Sequence, residues 1–443
     1  MKIFIYLLMF LLYGFECQSF SNEEGKLKKT KVRPVTYPDS IEFADRCYLE
    51  SVKSVELYRM GWRLSAPYRN LSDTTRLVLE FDDLTSRAET YTYTVIHCTP
   101  DWKPTDLSET EYISGLPDNE IRNYRYSRNT MQPYIHYQLS FPNEDLKIKL
   151  SGNYILYVYR NYNREDPVLT RRFYIVEPMA KVRTAIHRTD NLNYFGTHQE
   201  VDFSLDYSSF RTDNPQRDIR VSVVKNYYWE NAITELVPKF VHPDSLVYDY
   251  EEENLFPGGS EFRHFDTKSL KFNSDRIAEI RFERPLMRVF LKPDLVNDRK
   301  YYVFQEDING KYLIKWDDAS DSDIEGQYVW VDFRLQAPEP FDGSDVYVFG
   351  GLSDWRHLPE CKMIYHQETQ SYQVSLLLKQ GYYNYQYSLV GEDGASLNPN
   401  PVEWDFYETV NDYYVFVYYH DIRDRYARLA GLDLISSANL KSR

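Results

Sequence analysis

Short runs in which apolar and polar residues alternate recur along most of the chain, and this pattern constrains the fold more than any other feature. Successive side chains of a β-strand point to opposite faces of a sheet, so a period of two predicts half-buried strands. Few segments place apolar residues at helical spacing, and the best of them, near Arg423, is short. Alternating runs include RLVLEFDD from Arg76, YTYTVIHC from Tyr91, GNYILYVYR from Gly152 and DYYVFVYYH from Asp412. The chain is therefore predicted to be all-β.

The runs fall into three groups, which predicts three consecutive β-sandwich domains of the immunoglobulin-like kind. Within the second group, Pro257, Gly258 and Gly259 force a turn. The predicted limits are residues 40–178 for the N-terminal sandwich, 179–320 for the middle β domain and 321–431 for the C-terminal sandwich, with a tail over 432–443.

The N-terminus has the pattern of a secretory signal peptide. Lys2 precedes an apolar run from Ile3 to Tyr13 that is too short for a stable membrane span, so residues 1–19 are predicted to be cleaved. Residues 20–39 are charged and poor in large apolar side chains, which predicts a flexible leader. Cys17 follows Glu16, whereas lipidation needs a small residue there, so simple cleavage is favoured over lipidation. The mature protein is predicted to be exported and soluble.

Charge and missing motifs exclude several classes of function. Lys and Arg number 52 against 67 Asp and Glu, and the net charge of -15 has the wrong sign for a protein that binds nucleic acid. The 41 tyrosines fit half-buried sheets. The sequence lacks HExxH, paired CxxC, GxSxG and GxxxxGK[ST] motifs. We therefore predict a protein that is not an enzyme and needs no cofactor.

Three cysteines follow the predicted cleavage point: Cys47, Cys98 and Cys361. Cys47 and Cys98 either form a disulfide or stay as buried thiols, and their spacing does not decide between the two. His97 is adjacent to Cys98, but neighbouring side chains of a strand point to opposite faces, so the two residues are not predicted to act as a base and a nucleophile.

One acidic segment partly matches a calcium-binding loop. Acidic residues and a glycine stand at five of the positions that the motif uses. The match is imperfect, because position twelve is Asp332 where the motif has Glu, and the flanking segments look like strands where the motif has helices. A solvated linker is favoured, with a calcium site over Asp321–Asp332 as the alternative. The nine histidines are scattered, so no structural metal site is predicted.

An ordered set of phrases resembles the Plug protein family of the bacterial type IX secretion system. The phrases are HCTPDW from His97, SRNT from Ser127, YIHYQLSFPN from Tyr134, LSGNYILYVY from Leu150, FPGGSEFRHFD from Phe256, YVFGGLSDW from Tyr347, LLKQGYYNYQY from Leu377 and ETVNDYYVFVYY from Glu408. The resemblance covers about Ser40 to Gly431. It implies a periplasmic, non-enzymatic protein that binds the periplasmic opening of the outer-membrane translocon barrel and seals it when no substrate is in transit.

Four residues after turn-like segments are candidates for partner contact: Trp102, Phe262, Arg263 and Trp355. Rigid aromatic and arginine side chains supply much of the energy of protein interfaces, but such residues also serve as core braces, and both interpretations stay open. The YVFGGLSDW phrase also resembles the start of glycogen-binding early-set sandwiches. It extends the predicted sandwich type to early-set-like and makes an exported glycan-binding protein the alternative function.

Overall fold

The structure is a computed structural model that describes residues 37–38, 41–296, 301–397 and 401–439. The predicted signal peptide, Cys17 and nearly all of the predicted leader lie outside these residues. Strands account for 46% of the structure and helices for 6%, which confirms the all-β prediction.

Twelve strands come first along the chain. They are β1 (Arg46–Cys47), β2 (Val52–Arg59), β3 (Tyr68–Asn70), β4 (Leu77–Asp83), β5 (Tyr91–Cys98), β6 (Ile113–Gly115), β7 (Asn119–Glu120), β8 (Asn123–Tyr126), β9 (Ile135–Phe141), β10 (Leu146–Ile148), β11 (Gly152–Arg160) and β12 (Pro167–Val176), with the short helix α1 (Glu109–Tyr112) before β6.

Ten of these strands form a sandwich that we call the first lobe, and β6 and β10 pair with each other beside it. One sheet has the order β1-β12-β11-β5-β7 with β3 beside β12, and the other has the order β2-β4-β9-β8. Alternate residues of both sheets point inward and are fully buried, among them Leu79, Tyr137, Tyr154 and Phe173. The period-two runs therefore fold as their pattern predicts, with one side of each strand in the core.

Six strands and a helix follow: β13 (Lys181–Arg188), β14 (His198–Asp206), α2 (Pro215–Asp218), β15 (Ile219–Lys225), β16 (Phe240–Val241), β17 (Ser245–Tyr248) and β18 (Leu255–Pro257). The next ten strands are β19 (Arg263–Asp266), β20 (Ile277–Glu283), β21 (Leu286–Leu291), β22 (Asp294–Leu295), β23 (Tyr312–Ile314), β24 (Tyr328–Gln336), β25 (Ser344–Phe349), β26 (Ile364–His366), β27 (Ser371–Lys379) and β28 (Gly381–Gly391), with α3 (Ser322–Glu325) before β24. The last two are β29 (Asp412–Tyr419) and β30 (Arg428–Ser436).

The second sandwich combines strands from two distant parts of the chain. One sheet has the order β13-β14-β17-β16 with β18 beside β14, and the other has the order β15-β29-β30. In the second sheet β15 and β29 are antiparallel, from Ile219 opposite Tyr419 to Lys225 opposite Tyr413. We call this sandwich the middle lobe. The segment near Arg423 has the best helical spacing in the sequence, but most of it forms the strand β30. Its pairing with β29 outweighs its weak local preference for a helix.

Strands β19 to β28 form the third sandwich, which we call the inserted lobe. Its sheets have the orders β19-β28-β23, with β25 also beside β28, and β20-β21-β24-β27-β26, with β22 beside β24. The core between them contains Phe265, Phe333, Val348 and Tyr385. The chain thus leaves the middle lobe after β18, builds the inserted lobe and then returns.

Strand pairing cuts across part of the predicted domain division. The predicted limit at residue 178 falls between β12 and β13, but no lobe begins near residue 321, and β30 continues past residue 431. Alternation identifies a strand without identifying its partner, and the partners β15 and β29 are almost 200 residues apart in the sequence.

The first and middle lobes share a buried apolar interface. The outward face of the β11 and β12 sheet, with Ile155 and Tyr174, packs against the outward face of the β29 sheet, with Tyr414 and Phe416. Both of these sheets are thus covered on two sides, which explains why their strands read as nearly continuous apolar runs.

Candidate partner-binding site

Trp102 lies in the interface between the first and middle lobes. Its side chain is 8% exposed, and its backbone has a φ of +58° at the end of a turn that its N–H closes on the carbonyl of Thr99. The indole packs against Tyr174 and Trp229 at centroid distances of 5.5 and 5.3 Å, and the Arg172 guanidinium lies 4.6 Å from its ring. Trp102 is therefore a brace between lobes and presents little surface to a partner.

Arg263 is buried in the inserted lobe. Its guanidinium donates to Asp294 at 3.1 Å and to both oxygens of Glu403 at 3.1 and 3.2 Å. Burial alone would lower the pKa of Arg263, but the Glu403 and Asp294 carboxylates raise it overall, so the side chain stays charged. The two carboxylates make this arginine part of a buried ion-pair network.

Phe262 and Trp355 contact each other, as the sequence did not predict. Their ring centroids are 5.9 Å apart with an interplanar angle of 86°. Tyr228 of the middle lobe stacks on Trp355 at 6.0 Å. Trp355 is half-buried, and the stacked Tyr228 occupies part of the ring surface on which a sugar could otherwise stack.

The loop that carries Trp355 joins all three lobes. Its neighbour Asp354, also left-handed with a φ of +52°, accepts hydrogen bonds from Arg171 of the first lobe at 2.9 and 3.1 Å. Cys47 lies beside this pair, with its Sγ 3.6 Å from Asp354, and burial raises the pKa of its thiol to about 12. Cys47, Cys98 and Cys361 are all free thiols, so the pair left open by the sequence is not bridged in this structure.

The acidic segment Asp321–Asp332 faces arginines. Asp321 caps the N-terminus of α3 by accepting from the Asp323 N–H at 3.1 Å, and it also accepts from Arg125 of the first lobe. Asp332 lies on β24, where Arg288 donates to both of its oxygens at 2.6 Å. These carboxylates do not converge on one point, and the segment is a contact between the inserted and first lobes.

A buried polar cluster lies next to this contact. Asp82 of the first lobe accepts from Lys379 at 2.6 Å and from Tyr328 at 2.8 Å, both of the inserted lobe, and His136 Nδ1 lies 2.8 Å from its other oxygen. Burial alone would raise the pKa of Asp82, but the Lys379 ammonium and His136 lower it below its ordinary value. The cluster fastens the two lobes through a pair of buried opposite charges.

Ligand atoms of Glu80, His136 and Asp323 lie within 4.8 Å of one another, close enough for a metal ion. Arg63 donates to both carboxylates and so supplies the positive charge that a metal would otherwise bring. The arrangement is a salt-bridge cluster between lobes.

Two surface features offer space for a partner. A cleft of about 630 Å³ lies between the middle and inserted lobes, with Tyr228, Phe256 and the half-exposed Trp404 among its lining residues. Strand β8 lies at the edge of its sheet and carries Tyr124 and Tyr126, which are 43% and 59% exposed. Sequence reasoning missed β8 because NYRY is short and its edge position follows only from the pairing.

The comparisons with known proteins identify the family. Residues 52–177 match the family model described as the type 9 secretion system plug protein first domain. A crystal structure of a hypothetical protein from Parabacteroides merdae is 32% identical, with a TM-score of 0.85 over 89% of this chain and 100% of that chain. A biofilm-associated protein BSP domain gives 7% identity, a TM-score of 0.17 and coverages of 90% and 62%, which carries no argument. No curated protein matches.

None of the helices in the described part of the chain has the length and apolar character needed to cross a membrane. The matched residues coincide with nearly the whole first lobe, from β2 to the end of β12. The family is one of secretion proteins and not of enzymes. The chain belongs to the type 9 secretion system plug protein family.

Proposed function

We propose that this chain binds the periplasmic opening of the outer-membrane barrel of the type IX translocon and closes it while no substrate is in transit. The observation that carries the proposal is the match of residues 52–177 to the first domain of the plug proteins. In this role the chain works in the periplasm, held at the outer membrane by its partner. It needs neither a cofactor nor a small-molecule substrate.

The way the lobes are joined supports the proposal. A stopper must keep its shape, and the first lobe is fastened to the inserted lobe by the Lys379–Asp82 and Arg171–Asp354 ion pairs. Breaking a buried pair by removing one partner costs about 3–5 kcal/mol, so the lobes resist separation. The apolar interface around Tyr174 and Phe416 fastens the first lobe to the middle lobe as well.

The exposed aromatic side chains support a protein partner. Interfaces are anchored by a few large side chains, above all Trp, Tyr and Arg. Trp62, Tyr126 and Phe240 are each more than half exposed, in three different parts of the surface. The four residues selected from the sequence are less suitable anchors, because three of them are buried.

The proposal is tested by purification and by permeability. Affinity-tagged protein, extracted from outer membranes in mild detergent, should carry the translocon barrel with it, identified by mass spectrometry. Deletion of the gene should make cells sensitive to large polar antibiotics that the parent excludes.

The matched control is a strain that lacks both this gene and the barrel. If the antibiotics enter through a barrel that lacks its plug protein, the strain with the double deletion should be as impermeable as the parent. A single deletion that stays impermeable, together with a tagged protein that recovers no barrel, would overturn the proposal.

A further inference from the structure

The outer side of β8 has backbone groups that pair with no strand among the described residues. Strand β8 is the last of its sheet and is antiparallel to β9. Just beyond it, the Ser127 N–H donates to the carbonyl of Tyr134, the residue opposite it in the same register. Since bonded and non-bonded pairs alternate in an antiparallel ladder, the N–H and C=O groups of Tyr124 and Tyr126 point away from β9.

The side chains beside these backbone groups are also uncovered. Tyr124 and Tyr126 lie on the face that continues the core of the first lobe, opposite the buried Tyr137 and Ile135. They lie at the last strand of their sheet, and the facing sheet ends at β7, a strand of only two residues. Their rings contact each other edge to face at 6.2 Å.

A positively charged residue, Arg122, stands two positions before Tyr124, just as Tyr124 stands two positions before Tyr126. Arg122 is 73% exposed, and its contacts with Glu120 and Asp145 are long, at 4.0 and 3.8 Å. Arg125, which points to the other face, is already paired with Asp321. The edge thus presents one open guanidinium and two aromatic rings at alternating positions, in a chain whose net charge is -15.

Strand β20, which ends a sheet of the inserted lobe, shows how an edge of this protein can be protected. Strand β20 has seven residues, a register shift between Ile277 and Glu279, and charged residues that pair with one another, with Arg281 between Glu279 and Glu283. Bulges and paired charges are devices by which proteins block the addition of a further strand. Strand β8 has no register shift against β9.

We propose that β8 is the docking edge for an extended segment of the translocon barrel. The segment adds to the four-stranded sheet β2-β4-β9-β8 as its fifth strand. The proposal rests on the proposed function and names the surface that it uses. The segment pairs with the backbone of Tyr124 and Tyr126, places apolar side chains at two alternating positions against their rings, and carries an acidic residue two positions further along for Arg122.

The test separates backbone pairing from side-chain contact. Tyr126→Pro removes an N–H that points away from β9 and leaves the existing ladder intact, whereas Tyr126→Ala removes only the ring. The matched control is Val241→Pro on β16, an edge residue whose N–H also points outward, since the His242 N–H donates to Ser245 opposite it. Thermal melting of each purified variant checks that the fold is kept.

The readout is the amount of barrel that each tagged variant recovers from outer membranes. We expect Tyr126→Pro to lower recovery about tenfold, because it removes a ladder bond and prevents close approach, and Tyr126→Ala to lower it about threefold. Val241→Pro should recover as much as the wild type. Equal recovery by Tyr126→Pro and the wild type would overturn the docking edge while leaving the proposed function intact.

A second measurement leaves the backbone unchanged. A photoreactive p-benzoylphenylalanine at position 126 should cross-link to a peptide of the barrel, identified by mass spectrometry. An adduct with residues 20–36 of the same chain would show that the leader occupies the edge, and recovery of the barrel without any adduct would show that it binds elsewhere. Either result overturns the proposal, and failure of the wild type to recover the barrel overturns the proposed function with it.

Discussion

Replacing Lys379 by Met should destabilise the protein strongly, because it removes the cation of a buried ion pair. Lys379 and Asp82 are 2% and 1% exposed, with 2.6 Å between Nζ and Oδ2, and Lys379 also donates to the Asp323 carbonyl at 2.6 Å. The substitution leaves the Asp82 carboxylate buried with only Tyr328 and His136 beside it. Loss of one partner from a buried pair costs about 3–5 kcal/mol of unfolding free energy.

The matched control is Lys362→Met. Lys362 pairs with Asp345 at the same distance of 2.6 Å, but the two side chains are 45% and 49% exposed. An exposed pair contributes about 0–1 kcal/mol, so this variant should unfold almost like the wild type. Equilibrium unfolding in urea, followed by tryptophan fluorescence, measures both.

The pH dependence of the stability deficit tests whether the unpaired charge of Asp82 causes it. The pKa of Asp82 is held below its ordinary value in the folded protein, so its contribution to stability is present above the unfolded pKa and is lost as the pH falls through the folded pKa. Without Lys379, burial raises the folded pKa of Asp82, so the deficit of Lys379→Met should shrink as the pH falls toward about 4 and below. A deficit under about 1 kcal/mol at neutral pH, equal to that of Lys362→Met, would refute the reasoning.

Three further outcomes are expected. Burial raises the pKa of Glu56 to about 8, so this group contributes stability below its unfolded pKa that is lost as the pH rises toward 8, and Glu56→Gln should flatten the fall in melting temperature between about pH 5 and 8. Gly310→Ala should lower the melting temperature by several degrees more than Gly394→Ala, because both glycines have φ near +78° but a Cβ at Gly310 would meet the rings of Phe262 and Trp355, whereas Gly394 faces open space. The buried thiols, including Cys98 with its raised pKa, should react with iodoacetamide only after unfolding, as mass spectrometry of native and denatured samples will show.

The strands could be predicted from the sequence and their arrangement could not. DYYVFVYYH coincides with β29 because alternation and β-branched or aromatic residues are local properties. The pairing of β29 with β15 depends on how the apolar faces of distant strands pack together. No local sequence pattern predicts this pairing. The same limit explains why the predicted boundary at residue 320/321 does not match the lobes.

The candidate residues show the limit of local reasoning about a site. Trp102 and Trp355 follow turns, as the sequence indicated, and both have positive φ angles. Turns are usually at the surface, but here other lobes cover these two, so that they act as braces. The exposed edge at Tyr124 and Tyr126 has only four strand residues, and its significance depends on the absence of a neighbour beyond it among the described strands.

The return of β29 and β30 to the middle lobe sets a condition on the order in which the chain can fold. As the chain is synthesised from its N-terminus, all strands of the first lobe are available early, but β15 waits for β29 until the inserted lobe has been synthesised. Any product cut short before Asp412 lacks the strand that fills the middle lobe and the residues Tyr414, Phe416 and Tyr418 that cover the first lobe. Such a fragment exposes apolar surface on two lobes at once, and we expect proteases to cleave it faster than the full chain. The last two strands therefore complete the core of the middle lobe and its interface with the first lobe in one step.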